Sequence, residues 1–185
     1  MKNNSWAQIQ CNLGNVLFAT GLIMAYITAI NVKTSIELAM LSASTITIFY
    51  FWWGYIFLAQ IGLESKNIIS YFYDFMLLVI LFGLFYLIGM ENSEKPVIWL
   101  ITYLFLFVMA IFKYILLLRT ASGKGILFCK EKLKIESQGA VVILFLVIAA
   151  FFFKKELIAI WLIFFMEFFH ILYVGLIDKF YEKWI

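Results

Sequence analysis

Residues 97–118 read VIWLITYLFLFVMAIFKYILLL, 22 positions in which Lys113 is the one charged side chain. A hydrocarbon core of about 30 Å takes roughly 20 helical residues at ~1.5 Å each, so this run is long enough to cross a bilayer. It is continuous rather than alternating, and about twice the length of a barrel strand of ~9–11 residues. A helix is therefore expected, and the same reading applies to residues 13–31, 36–63, 68–90, 138–153 and 157–177. The expected fold is all-α: a polytopic transmembrane helix bundle of about six spans, one transmembrane domain over residues 1–185, with no soluble domain. The fifth run is the shortest and the turn at Lys154-Lys155-Glu156 is tight, so one bent element, giving five spans, is the alternative.

Composition agrees with this reading. The 185 residues are 65% apolar and 14% charged, against about 45–50% and roughly 25% in soluble domains. The apolar run beginning at Leu13 exceeds a signal-peptide core of roughly 7–15 residues, so it is read as a retained first helix. A net charge of +3 gives a nucleic-acid partner no electrostatic support. Cys11 and Cys129 have no metal-site spacing and make no disulfide framework.

Local punctuation fits the boundaries. Thr34-Ser35-Ile36-Glu37 has the capping-box pattern, in which a hydroxyl and a carboxylate satisfy free N–H groups at a helix start. Pro96 follows Asn92-Ser93-Glu94-Lys95 and suits a first turn, where its missing N–H has no helical partner. With both termini on one side, that side holds Lys2, Lys66, Arg119, Lys124, Lys130, Lys132, Lys134, Lys179 and Lys183, while the other holds Lys33, Lys95, Lys154 and Lys155. Nine against four places both termini in the cytoplasm. There Cys11 and Cys129 are expected as free thiols. Residues 119–137 read as a basic cytoplasmic loop resting on anionic headgroups. Its Gly123-Lys124-Gly125 lacks the glycine spacing of a phosphate loop.

Trp99 and Trp161, near the outer ends of their spans, and Trp6 and Trp184, beyond the inner ends, read as an aromatic belt. Trp52 and Trp53 are expected to pack between helices. Where the six-span potassium-channel family carries Arg and Phe-Ser-Asp in its first helix, this chain has Leu13-Gly14-Asn15. No internal repeat relates helices 1–3 to 4–6, so an inverted-repeat transporter is not indicated.

Charged groups inside a span cost roughly 2.5–3.5 kcal/mol at its centre on insertion scales, which makes each a functional candidate. Asp74, Lys113, Tyr55 and His170 all fall about 10 Å from the cytoplasmic ends of their spans at ~1.5 Å per residue. Asp74 and Lys113 are expected to pair. Glu167 lies at mid-span, shares a helical stripe with His170 and Asp178, and has no basic residue level with it. It is expected as a neutral acid unless a cation holds it ionised. Ser44, Thr47 and Tyr55 form a comparable stripe on helix 2, and a water-containing path opening to the cytoplasm is readable between the two faces.

Glu167-Phe168-Phe169-His170 has the Glu-x-x-His spacing of di-iron bundles, which need two such motifs and two further Glu. With one His in the chain, a dinuclear metal centre is rejected, and no cofactor is indicated. The readings that remain are three. The first is a small transporter or channel component with a proton or cation site built on Glu167, His170, Asp74, Lys113 and Tyr55. The second is a structural or accessory subunit of a larger membrane complex. The third is a membrane-embedded enzyme acting on a lipid-like substrate, supported by Asp74 near headgroup level. The expected partners are the lipid bilayer and either further copies of the chain or a larger membrane complex.

Overall fold

The computed structural model describes residues 5–60, 68–121 and 123–173. Among them the secondary structure is helical: α1 (Ser5–Ala29), α2 (Ser35–Gln60), α3 (Ile68–Ile88), α4 (Lys95–Thr120), α5 (Lys124–Phe153) and α6 (Glu156–Leu172). Three segments are long and apolar enough to cross a membrane, namely Ser35–Ile56, Lys95–Thr120 and Gly125–Phe153. The apolar stretches Gly14–Ala29 and Phe72–Ile88 are shorter.

The helix starts show why the chain breaks where it does. At α2, Thr34 Oγ1 accepts from the Glu37 amide at 3.3 Å, and Glu37 Oε2 accepts from the Thr34 and Lys33 amides at 3.0 and 2.7 Å. The capping box is thus formed. Pro96 sits in the first turn of α4 as expected. Lys95, at the start of α4, pairs with Glu37 Oε1 at 2.5 Å, so α2 and α4 begin at the same end of the bundle. The α5–α6 turn is two helices and not one bent element. Lys154 ends α5 in the left-handed conformation, φ 52° and ψ 45°, and reverses the chain.

Helices α2 and α4 occupy the centre. α2 packs on α1, α3, α4 and α6, while α4 packs on α2, α3, α5 and α6. Leu84, Phe85, Leu100, Leu106, Ile143 and Ile160 fill the core between them. Small residues set the closest approach of α1 to α2. A Cβ on Gly21 would meet Ile48 Cδ1 at 2.8 Å, and one on Gly14 would meet Tyr55 Cβ at 3.1 Å, so glycine lets the two backbones come together.

Two expectations are corrected here. Residues 119–137 are not a loop. α4 runs to Thr120 and α5 begins at Lys124, with Gly123 at φ 54° and ψ −127° making the turn. The charges in this stretch mask a helical stripe: Phe128, Cys129, Lys132, Glu136, Ala140 and Ile143 are all buried, at spacings of three and four, while Lys130, Glu131 and Lys134 are exposed. Trp99 is likewise not interfacial. It is fully buried, stacks on Tyr103, and donates its indole N–H to Ser44 Oγ at 3.2 Å. A buried indole needs one acceptor, and a small hydroxyl on the neighbouring helix supplies it. Trp52 packs as expected, stacked on Phe18 and donating to Asn15 Oδ1 at 3.1 Å.

Candidate functional site

Helix α2 carries a ladder of buried polar side chains: Glu37, Ser44, Thr47, Tyr50 and Tyr55. From Glu37 to Tyr55 is about 27 Å at ~1.5 Å per residue, close to the hydrocarbon thickness. Each rung except Ser44 meets at least one ionisable partner on another helix. Burial without such partners is costly in a low-dielectric interior, which explains why the rungs come in groups of polar side chains and not singly.

At the Tyr55 rung, the hydroxyl donates to Asp74 Oδ1 at 2.6 Å. Lys113 Nζ lies 2.5 Å from the same oxygen and 4.0 Å from the centre of the Tyr55 ring. The pairing expected from matched depths on α3 and α4 is present, with Tyr55 joining it. Asp74 is consequently held by two donors, and it lines a cavity of about 30 Å³ with Gly14, Trp52 and Tyr55.

The Tyr50 rung is one that the sequence does not announce. Tyr50 donates to Glu136 Oε1 at 2.6 Å and accepts from Lys132 Nζ at 2.9 Å, while Lys132 and Glu136 pair at 3.8 Å one turn apart on α5. Both charged residues are 1–2% exposed. A void of about 10 Å³, barely the size of one water, touches Lys113, Tyr55, Tyr50 and Glu136 and joins this rung to the one below. The signal that identifies the rung is the 128-129-132-136-140-143 stripe, which takes precedence over the local density of charge.

At the Thr47 rung, Thr47 Oγ1 has three oxygens at 2.7 Å: the Ala43 carbonyl, the Tyr103 hydroxyl and Glu167 Oε2. One hydroxyl has one proton and two lone pairs. If Thr47 donates to Ala43, then Tyr103 and Glu167 both donate to Thr47, and the carboxyl carries a proton. If Glu167 is ionised, Thr47 turns its proton to the carboxylate. A single rotor thus accommodates either charge state.

No family model, curated protein or solved structure matches this chain.

The chemistry of the site therefore rests on its own geometry. Of the buried acids among the described residues, Glu37 pairs with Lys95, Asp74 with Lys113 and Glu136 with Lys132. Glu167, 3% exposed, has no lysine. Its second oxygen, Oε1, is buried without a hydrogen-bond partner, as are His170 Nε2 and the second oxygen of Glu136, Oε2. Both residues line a cavity of about 320 Å³ bounded by α2, α4, α5 and α6. Glu136 is near enough to act electrostatically on Glu167, as is Lys132 on His170. Among the described residues no three His, Cys, Asp or Glu side chains converge as a metal site would require. Asp74 lines a different cavity from Glu167 and His170, so these three residues, expected in one candidate site, form two separate clusters. Asp178, the last member of the α6 stripe, lies outside the described residues.

Proposed function

We propose that this chain is a six-span membrane transporter or channel component, with both termini in the cytoplasm, that takes a proton or another cation at Glu167 and His170. One observation carries the reading. Among the described residues Glu167 is the buried carboxyl left without a lysine, its second oxygen is buried without a partner, and it lines a cavity together with His170. An acid so placed is either neutral or balanced by a cation that is not part of the chain. The polar ladder supplies a route to it. Rungs run without a long gap from Tyr55 to Ser44, whereas Ala39, Met40, Leu41 and Ala43 are buried between Ser44 and Glu37. Water and ions then reach Glu167 from the Tyr55 end, and the apolar segment closes the other end. With Lys132 withdrawn from the orientation count because it is buried, eight basic residues against four still favour the cytoplasm for that open end.

The test is flux in vesicles reconstituted with the purified chain, under an imposed membrane potential or a gradient of an inorganic or organic cation. Glu167→Gln keeps the hydrogen-bond shape and is expected to leave assembly intact while flux falls at least tenfold. A second reading, an accessory subunit, draws on α5. That helix is the least covered of the three long apolar segments, with Phe145, Phe151, Phe152 and Phe153 facing outward. Wild-type vesicles without flux of any cation, together with co-purification of a fixed membrane partner lost on Phe145→Ser, would establish the second reading over the first.

A further inference from the structure

The Glu167 cavity also indicates which kind of cation it takes, an inference that rests on the function proposed above. Hard metal ions such as calcium bind six to eight oxygens, and zinc takes three or four protein ligands. This cavity is lined by Glu167 and His170, each with one buried, unpartnered polar atom in its wall, and has the exposed side chain of Gln138 at its edge. The remainder of its lining is apolar or aromatic, including Phe107, Val142, Met166 and the rings of Tyr50 and Tyr173. A volume of about 320 Å³ lies at the lower end of the ~300–1,000 Å³ usual for small-molecule sites. A bare inorganic ion would leave most of that volume empty and its own coordination incomplete.

We propose that the cavity binds a lipophilic primary or secondary ammonium ion, exchanging it for the proton on Glu167. Turned into the cavity that they line, the Glu167 carboxyl and the His170 imidazole would offer their unpartnered Oε1 and Nε2 to N–H groups of the ammonium. The apolar body of the ligand fills the space between Phe107, Met166 and Tyr173, where aromatic faces also favour a cation. The exchange balances. The O–H bond of Glu167 breaks, its proton leaves to water, the Thr47 hydroxyl turns to the new carboxylate, and the ammonium arrives with its charge unchanged. No other covalent bond is altered, and the cavity holds one positive charge against one negative. The titratable and charged groups that face this exchange are Tyr50 on α2, Tyr103 on α4, Lys132 and Glu136 on α5, and His170 and Tyr173 on α6. Lys132 and Glu136 already neutralise each other through Tyr50, so the exchange is assigned to Glu167.

The probe is 2-phenylethylammonium, titrated calorimetrically into the full chain in lipid nanodiscs at pH 6 and pH 7, in two buffers of different ionisation enthalpy. Saturable binding with net proton release is expected, and its affinity should rise severalfold from pH 6 to pH 7 by linkage. 2-Phenylethanol, the same body without the charge, should bind at least tenfold more weakly, and a hundredfold excess of sodium should not compete. Glu167→Gln should abolish proton release. Val142→Trp, at an exposed position on the cavity wall, should block binding without disturbing the Thr47 hydrogen bonds, which keeps the test valid if Glu167→Gln fails to fold. Equal binding of the alcohol, unchanged binding in Val142→Trp, or no saturable binding would overturn the inference. Glu167-dependent flux of protons or inorganic cations without amine binding overturns it while the proposed function stands. Absence of both removes both.

Discussion

Asp74 and Lys113 show how much residue type and depth in a span can reveal by themselves. Each is a charge inside an apolar run, each falls at the same depth, and the two meet at 2.5 Å. Removing one partner of a buried pair costs about 3–5 kcal/mol, whereas replacing both is often nearly neutral. Asp74→Asn and Lys113→Met should therefore each lower the thermal midpoint in detergent, and the double variant should recover most of the loss. Strictly additive losses would mean that the two side chains do not depend on each other. Glu167 is legible by the same logic, as an acid with no base at its level, and among the described residues its hydrogen bond is to a hydroxyl, that of Thr47. Lys132 and Glu136 are not legible in this way, because a run with five charges between Lys130 and Glu136 resembles a solvated surface. Burial of two of them is encoded in their spacing, and charge counting alone does not weigh spacing. Tyr103 and Tyr50 are hidden for another reason: in a chain with ten tyrosines, nothing local distinguishes the one that holds a carboxyl.

Elements are easier to read from sequence than their ends. Four of the six expected runs match helices to within a few residues where the chain is described, because long apolar stretches leave little choice of structure. The first, expected from 13, is found from Ser5, and the larger departure is the fifth, expected from 138 and found from Lys124. Its start depends on Gly123, whose φ of 54° with ψ of −127° is a backbone region open to glycine and strained for other residues. Gly123→Ala should thus cost about 1–3 kcal/mol, seen as a lower unfolding midpoint with helix content retained. The other end of α5 makes the opposite prediction. Lys154 is a side-chain-bearing residue in the left-handed region, which costs roughly 1–2 kcal/mol compared with its right-handed form. Glycine carries no such penalty, and part of this gain is lost to the greater freedom of an unfolded glycine. Lys154→Gly should accordingly raise the midpoint, by less than ~1.5 kcal/mol. If it instead destabilises the chain, the lysine side chain contributes a contact at the surface that outweighs its backbone.

The two ends of the molecule differ in charge and in helix length. α5 has 30 residues, about 45 Å at ~1.5 Å each, against a hydrocarbon core of about 30 Å. The excess lies at its start, where Lys130, Glu131 and Lys134 are exposed while Lys132 and Glu136 turn inward to Tyr50. That start shares an end of the bundle with the Tyr55–Asp74–Lys113 cluster, since Phe128 and Cys129 pack with Leu58, Tyr114 and Leu117 at the ends of α2 and α4. The opposite end carries Lys33 and Lys95 at Glu37, and Lys154 and Lys155 between α5 and α6. If the basic excess sets the orientation, the Tyr55 end is cytoplasmic, and on the proposed function Glu167 is reached from the cell interior. In a background with Cys11→Ser and Cys129→Ala, thiols introduced by Lys130→Cys and Lys155→Cys report the two ends of α5 and the start of α6. With a membrane-impermeant reagent on sealed vesicles, Lys130→Cys should label only from the cytoplasmic face and Lys155→Cys only from the other. Labelling of both from one face would mean that α5 does not cross the bilayer, and the six-span reading would fail with it. The reverse pattern would keep the six spans, invert the chain, and make the Glu167 cavity one that loads from outside.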